Sequence, residues 1–434
     1  MTIPRINWIF RGLIAVQLFV VSSTLLAGPN ILTLQNCIET ALKNQPAIQS
    51  AREGVNAVQG RMTQAASPYF PRITASAGHE ESHVVGTGQA NSISRNDTTS
   101  LSVNQVLYDF GRTGNARDAT RSAMRSAEFE EQRVMQDTVL NVKQTYYALL
   151  AAKKLVLVSQ KTTEQAESHL KQADAFFRSG SKPRFEVTRA EVEVNNANLS
   201  MINAKNAVRL RTIGLYNAMG VDPGGDLEIE DVLSTPVSIP SIELAMAEAA
   251  KNRPELLKAE ADIQAARARI KAEEANYLPT LSANGSYNWE NGSTTMGTFK
   301  FNAQDSWNVG VLLSMPLFEG WLTRGKVHEA RANLRALEAQ GQTFRRSVLI
   351  ELNQAYADME SAAARIAVME SLLKKASESL ELAQGRYAAG VGTYIEITDA
   401  QVASVNAETD HVQALYDYQL AAARFFKAMG TSTP

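Results

Sequence analysis

Two hydrophobic periods alternate along the chain. From Arg324 to about Ala389 there is no proline and almost no glycine, and Leu352, Ala355, Met359, Ala362 and Ile366 lead on through Met369, Leu373, Ala376, Leu380, Ala383 and Tyr387 in steps of three and four. That spacing keeps a narrow apolar seam on one side of a helix. Val327, Ala330, Leu334 and Leu337 begin the same register, and a stutter near Val348 joins the two parts. Thr113 to Arg178 carries a more polar version through Val142, Leu149, Ala152, Val156, Ala166, Leu170 and Phe177. Each stretch of about 65 residues, at ~1.5 Å per residue, predicts a rod of roughly 100 Å. No compact domain of this size has a core that long. Gly180 and Gly390 break the pattern, and second helices return to Met219 and Met429.

Elsewhere the period is two. "LSANGSYNWE" places Leu281, Ala283, Tyr287 and Trp289 on one face and Ser282, Asn284, Ser286 and Asn288 on the other. "WNVGVLLSM" sets Trp307, Val309, Val311, Leu313 and Met315 against Asn308, Gly310 and Ser314. "ITASAG" and "LSVNQVLY" behave alike, so strand pairs are expected near 72–108 and 280–317. The alternation fits half-buried soluble strands and transmembrane barrel strands equally well.

The order of elements occurs twice. Gly180 matches Gly390, Glu186 matches Glu396, and Ala218-Met219-Gly220 matches Ala428-Met429-Gly430, each pair 210 residues apart. Further upstream, "ALKNQPAIQSA" corresponds to "AAKNRPELLKA" and "SPYFPRITASAG" to "ANYLPTLSANGS". An internal duplication of about 200 residues follows. The expected organisation is a first repeat over 29–220, ending in a helical hairpin at 112–220, and a second over 242–430, with its hairpin at 323–430. The Pro- and Gly-containing linker 221–241 joins them, and a short tail occupies 431–434.

Composition narrows the function class. The 434 residues carry a net charge of −2, which argues against a nucleic-acid partner. A single cysteine, Cys37, and five scattered histidines offer no disulfide and no metal-ligand spacing, so no metal or cofactor is expected. No grouping of nucleophile, base and orienting residue suggests an enzyme. Arg5 and Arg11 precede an apolar run from Leu13 to Leu26 and then Ala27-Gly28, which reads as a secretory signal peptide over 1–28. Cys37 lies beyond the expected cleavage point and is not an acylation site. No later run is long enough for a membrane helix.

Four strands cannot close a barrel, and an open sheet with an apolar outer face leaves its edges exposed. A symmetric oligomer solves both problems, since two chains supply eight strands and three supply twelve. At this point the residues carry a resemblance. The signal peptide, the Asn-x-Pro helix starts, "YLPTLSANGSYNW", "MPLFEGW", the long heptad helix and "RYAAGVGTYIEITDAQ" resemble the TolC family of outer-membrane efflux and secretion ducts, in order and in both copies. The resemblance implies a mainly α protein with a β-barrel: a homotrimer whose twelve-stranded outer-membrane barrel, four strands per chain, continues into a long periplasmic α-helical barrel. It also implies a Gram-negative outer membrane, contact with its lipid, and partnership with a periplasmic adaptor protein and an inner-membrane transporter in a tripartite efflux pump or type I secretion system. The equatorial belt would rest mainly on 221–241 and the N-terminal helix. Rival readings are a periplasmic adaptor and a coiled-coil structural protein.

The candidate site residues lie at the hairpin turns. Thr393-x-x-Glu396 is a capping-box pattern, and Asp399 follows one turn later on the same face. Glu396 is thus a helix cap, a member of a carboxylate ring at a constriction, or both; the ring, with Asp399, is what the resemblance implies, and such a ring would favour cations. In the first hairpin Glu186 matches Glu396, but Arg189 stands where Asp399 would. Arg189 is either an ordinary partner of Glu186 or a latch to Asp399 of a neighbouring hairpin. Tyr387 matches a tyrosine that similar proteins place near the constriction, whereas the basic residue expected shortly after it is replaced by Gly392. The turns at Gly180-Ser181 and Gly390-Val391 are, by the same resemblance, candidate docking points for the adaptor.

Overall fold

The computed structural model describes residues 31–84, 92–234, 240–294 and 300–431. The signal-peptide reading of 1–28, part of the linker at 235–239 and most of the tail at 431–434 lie outside the described residues.

Each half opens with two short helices, α1 (Leu34–Asn44) and α2 (Pro46–Ala66) in the first, α5 (Ile242–Asn252) and α6 (Pro254–Glu274) in the second. Thr33 and Ser241 cap α1 and α5 by accepting from the amides of Asn36 and Leu244. Proline takes the first position of α2 and α6, where its missing N–H costs nothing, and holds Gln45 and Arg253 extended, which ends the preceding helix.

Strands β1 (Arg72–Val84), β2 (Ser92–Tyr108), β3 (Thr280–Thr294) and β4 (Lys300–Ser314) form one antiparallel sheet in chain order. The register lines up Ile73–Val103–Gly285–Val309 and Ala75–Leu101–Tyr287–Trp307 across the sheet, so one face is apolar from edge to edge. Thr74–Ser102–Ser286–Asn308 and Ser76–Ser100–Asn288–Ser306 line the other, where Ser76 and Ser100 share a hydrogen bond at 2.7 Å. The apolar face is uncovered: Trp307 is 75% and Val309 79% exposed. From Trp307 to Met315, at ~3.4 Å per residue, it extends roughly 27 Å, close to the ~25 Å apolar band of outer-membrane barrels.

Two successive left-handed residues turn each strand pair into a long helix. They are Phe110 (φ 53°) and Gly111 (φ 87°) in the first half, and Gly320 (φ 61°) and Trp321 (φ 68°) in the second. The duplicated turn therefore carries its aromatic and its glycine in opposite order. A carboxylate stabilises each turn: Asp109 accepts from the amides of Gly111 and Thr113, and Glu319 from the Thr323 hydroxyl at 2.8 Å.

Beyond these turns run α3 (Arg112–Arg178) and α7 (Leu322–Ala388), of 67 residues each, with return helices α4 (Arg184–Met219) and α8 (Tyr394–Ala428). At ~1.5 Å per residue the long helices reach about 100 Å. The packing order is α4, α3, α8, α7. The α7 seam buries Leu352, Met359, Ala376, Leu380, Ala383 and Tyr387 as its periodicity requires. In α3 the register shifts toward the tip. Phe177 is exposed, and His169, Ala173 and the half-buried Phe176 face inward, because α3 is covered by α8 as well as α4.

A strap halfway along the rods ties the first half together. Leu32 bridges Ile229 in parallel, and the Tyr146 hydroxyl lies 3.1 Å from the Leu32 carbonyl and 2.9 Å from that of Glu230, inside a core of Cys37, Val142, Leu149, Leu215 and Leu233. Gln419 of α8 donates to the carbonyl of Leu233 at 3.0 Å, so the linker also grips the second hairpin. Burial pushes the Cys37 thiol up to about 12, so it stays protonated.

The returning helices end against the Asn-x-Pro joints. Gln45 donates to the carbonyl of Ala218 at 3.1 Å, and Arg253 donates to that of Lys427 at 3.3 Å. Gly220 and Gly430 are left-handed there, and a Cβ on Gly430 would lie 2.6 Å from the Asn252 carbonyl carbon. Gly430→Ala should therefore destabilise the protein by roughly 1–3 kcal/mol. Gly54→Ala, inside α2 with nothing within 4 Å of the added methyl, should stabilise it by roughly 0.5–1 kcal/mol. Thermal unfolding in detergent, followed by helical circular dichroism, reads both; equal shifts in the two variants would refute the close-approach account.

Candidate functional site

The two hairpins meet near their turns, where α3 and α4 face α7 and α8, and the seam there is polar at its edges and aromatic at its centre. Ala173, Ala190, Leu380, Ala383, Tyr387, Tyr394, Ile397 and Ala400 form a buried cluster, with Leu170, Phe176 and Val187 against it. Small residues let the helices approach, and the rings fill what remains: Tyr387 packs edge-on against Phe176 and against Tyr394, with centroids 5.6 and 6.1 Å apart.

Among the described residues, four hydrogen-bond or ion-pair ties cross this seam from one hairpin to the other. Nearest the turns, the Tyr387 hydroxyl donates to Glu186 at 3.1 Å. The Tyr394 hydroxyl then donates to Glu193 at 2.5 Å, Gln401 donates to Gln165 at 2.6 Å, and Lys161 approaches Glu408 at 3.6 Å. Tyr387 is 1% exposed; burial and its bond to Glu186 push its phenol up to about 12, so it remains a donor throughout the physiological range. Tyr394 is shifted in the same direction, again by burial first and by Glu193 second.

The residues singled out in the sequence divide between this seam and the exposed turns. Glu186 belongs to the seam: its side chain is 16% exposed and binds Lys182 at 3.5 Å as well as Tyr387, and the Lys182 ammonium lies 5.5 Å from the Tyr387 ring. With its oxygens so engaged, Glu186 does not pair with Arg189. That guanidinium lies instead over the Tyr394 ring at 5.4 Å and reaches neither Glu186 nor Asp399 in this chain. Glu396 and Asp399 are exposed on the first turns of α8. The helix cap is supplied by the Thr393 hydroxyl, which accepts from the Glu396 amide at 3.3 Å, while the Glu396 carboxylate pairs with Arg386 at 3.2 Å. Among the described residues Asp399 has no ion-pair partner.

The turns themselves are built alike. Gly180 (φ 76°) and Gly390 (φ 77°) end α3 and α7, with Ser181 and Val391 amides returning to the carbonyls of Phe176 and Arg386. Val391 is 69% exposed and Ser181 is exposed. Gly392 has a steric reason for standing where a basic residue was expected, because any Cβ there would sit 2.8 Å from the Tyr387 nitrogen. The cation of this turn is Arg386, six residues earlier near the end of α7, where it pairs with Glu396.

Sequence reasoning overlooked Tyr394, Glu193, His169, Lys182 and Arg386. A signal for two of them was present. Tyr387 and Tyr394 are seven residues apart, as are Glu186 and Glu193, and both tyrosine–glutamate pairs are separated by the same 201 residues. Phe185 and Ile395, exposed equivalents on the first turns of α4 and α8, add an apolar surface beside each turn.

Comparison with known proteins places this geometry in a family. The chain is similar to Protein CyaE of Bordetella pertussis, 27% identical over 90% of this chain and 81% of the relative, and to the outer membrane protein TolC of Escherichia coli K12, 23% identical over 92% and 82%. Among solved structures it superposes on CusC with a TM-score of 0.80, at 19% identity over 92% of both chains. It also superposes on the open state of the MtrE outer membrane channel of Neisseria gonorrhoeae with a TM-score of 0.77, at 19% identity over 92% of this chain and 89% of that one. The model of the outer membrane efflux proteins matches twice, once on each half at residues 37–221 and 245–431, and the chain belongs to the outer membrane efflux protein family.

Proposed function

We propose that three copies of this chain form a passive exit duct across the outer membrane, fed from the periplasmic side by an adaptor and an inner-membrane transporter of an efflux pump or a type I secretion system. The observation that carries this reading is the incomplete sheet. Four strands present one apolar and one polar face, end in the open edges β1 and β4, and stand on the same chain as rods of roughly 100 Å. Joining β4 of one copy to β1 of the next removes every edge and turns the apolar band to lipid. The helical layer is open in the same way. Its flanking helix α4 carries Phe185, Val192, Leu199, Ile202, Leu210 and Ile213 uncovered, near heptad spacing, and α7 at the other flank exposes Ile350, Val368 and Leu382. These stripes fit α4 of one copy against α7 of the next. No catalytic step is assigned.

The periplasmic end of the duct is the constriction. Tyr387–Glu186 ties the second hairpin to the first and holds the tip narrow, while Asp399 and the Glu396–Arg386 pairs set its charge. Arg189 tethers the first hairpin to the second through the Tyr394 ring. The exposed turns at Gly180-Ser181 and Gly390-Val391, with Phe185 and Ile395 beside them, are the docking points for the adaptor.

Purified protein in a planar bilayer should give a small, cation-selective conductance, and Glu396→Ala/Asp399→Ala should lose that selectivity. Channels with unchanged selectivity would remove the carboxylates from the constriction and leave the duct. Folded, inserted protein without channels would sink the duct and favour an adaptor or a coiled-coil structural role.

Tyr387→Phe deletes the hydroxyl and keeps the ring packing. A hydrogen bond to a charged group contributes roughly 1.5–3 kcal/mol, so the open-to-closed ratio should rise by about ten- to a hundredfold per protomer. Single-channel recording reads this as larger or longer openings; wild-type currents in the variant would show that this tie does not hold the tip.

A further inference from the structure

One buried polar side chain of the seam has no part in the ties that close it. His169 of α3 is 8% exposed, and among the described residues its Nδ1 has no hydrogen-bond partner. Orphaned buried polar atoms are rare, because each one gives up its water without replacement. His169 faces Glu193, which connects it to the polar and aromatic groups of the seam. Helix α4 brings Glu193, whose charge acts on the imidazole, and one turn before it Arg189, which lies over the Tyr394 ring. Helix α8 brings Tyr394, bound to that same Glu193, and Tyr387 of α7 lies behind Tyr394. On the side away from the turns is the Gln165–Gln401 bond, where the Gln401 Oε1 is also buried without a partner. The seam is therefore under-satisfied at this level and on both of its sides.

Burial holds the imidazole of His169 below its ordinary value, and the Glu193 carboxylate, already bound by Tyr394, opposes that shift only in part. The sign of the coupling follows. A histidine whose pKa is depressed in the closed seam, and restored when the seam admits water, takes up its proton preferentially in the parted state. Neutral pH favours the closed seam, and acid below the ordinary histidine value of about 6.5 favours the parted one.

We propose that His169, with Glu193 and Tyr394, is an acid-operated release built into the inter-hairpin seam. Charging the buried imidazole makes its dry site untenable. Glu193 sits on α4 of the same hairpin as His169, whereas Tyr394 belongs to the other hairpin. An imidazolium that attracts this carboxylate therefore strengthens the first hairpin internally and competes with the tie to the second. Water entering at Nδ1 parts α3 from α8, and the Tyr394–Glu193 bond is broken. The release acts one level above the Tyr387–Glu186 tie and lowers the work left for an adaptor to do at the tip. It rests on the reading of the tip as a closed constriction, and couples that constriction to periplasmic acidity.

The test uses the full-length protein. Spin labels at Ser181→Cys and Val391→Cys, in a Cys37→Ser background, report the separation of the two turns in detergent by pulsed electron resonance. The expected result is a longer distance on going from about pH 7.5 to about pH 5.5, values that straddle the histidine range. His169→Gln should abolish that change, and Tyr394→Phe should give the long distance at both pH values. Bilayer conductance should run in parallel, rising several-fold with acid in the wild type and staying flat in His169→Gln. A wild-type distance that ignores pH, or a His169→Gln variant that responds like the wild type, overturns the proposal and assigns any acid response to other groups. A distance that moves as expected without any current supports the release and refutes the duct, so the two failures are separable. Should His169→Gln not assemble, Tyr394→Phe alone still decides: a pH-dependent distance undiminished in that variant overturns the proposal.

Discussion

Narrow burial is the constraint from which the rest of this structure follows. A helix of roughly 100 Å that hides only a seam of alanines and scattered larger side chains cannot surround itself with a core. Its remaining faces need neighbours, and the chain supplies some of them through its own duplication: α4, α3, α8 and α7 lie side by side as a layer rather than a bundle. A layer has flanks, and those flanks are where the uncovered Leu, Ile and Val side chains of α4 and α7 are found. The four-stranded sheet repeats the same incompleteness with hydrogen bonds in place of side chains. Both parts leave the same kind of opening, one that the addition of further copies would close.

What keeps so thin a layer in register is a set of polar fastenings at defined heights. Midway, the strap around Leu32, Ile229 and Glu230 closes over Tyr146, and the linker reaches α8 through Gln419. At the end of each return helix, a left-handed glycine and the side chain before a proline lock the helix to the joint below it. At the turns, tyrosine–carboxylate pairs join one hairpin to the other. The first two are buried among apolar residues or seated against backbone. The third sits in the buried aromatic cluster near the tips and joins the two hairpins through side chains alone.

Duplication supplied these parts in pairs and then allowed them to diverge. The strand-to-helix turns use Phe-Gly in one copy and Gly-Trp in the other, with the same left-handed backbone. The Asn-x-Pro joints use Gln45 in one copy and Arg253 in the other to reach equivalent carbonyls, those of Asn217 and Lys427. At the tips the divergence is chemical: Glu186 is drawn into the seam by Tyr387 and Lys182, while Glu396 stays exposed beside Arg386. Two equivalent glutamates have therefore become a fastener and a surface charge.

The sequence alone determined whatever depends on local periodicity and backbone chemistry. The heptad steps of α7, the two-residue alternation of the strands, the prolines that start α2 and α6 and the glycines that end the long helices were legible because each follows from a conformation that one residue type favours or forbids. The duplication was legible because those signals recur at a constant offset. Only the tertiary structure decided which way the polar residues of the seam face. Nothing local to Arg189 says that it lies over Tyr394, or that Glu186 is engaged by a residue two hundred positions away. Gly392 read as a missing base until the backbone of Tyr387 was seen to leave no room for a Cβ. His169 read as one histidine among five, since burial without a partner is a property of three packed helices and of no segment by itself.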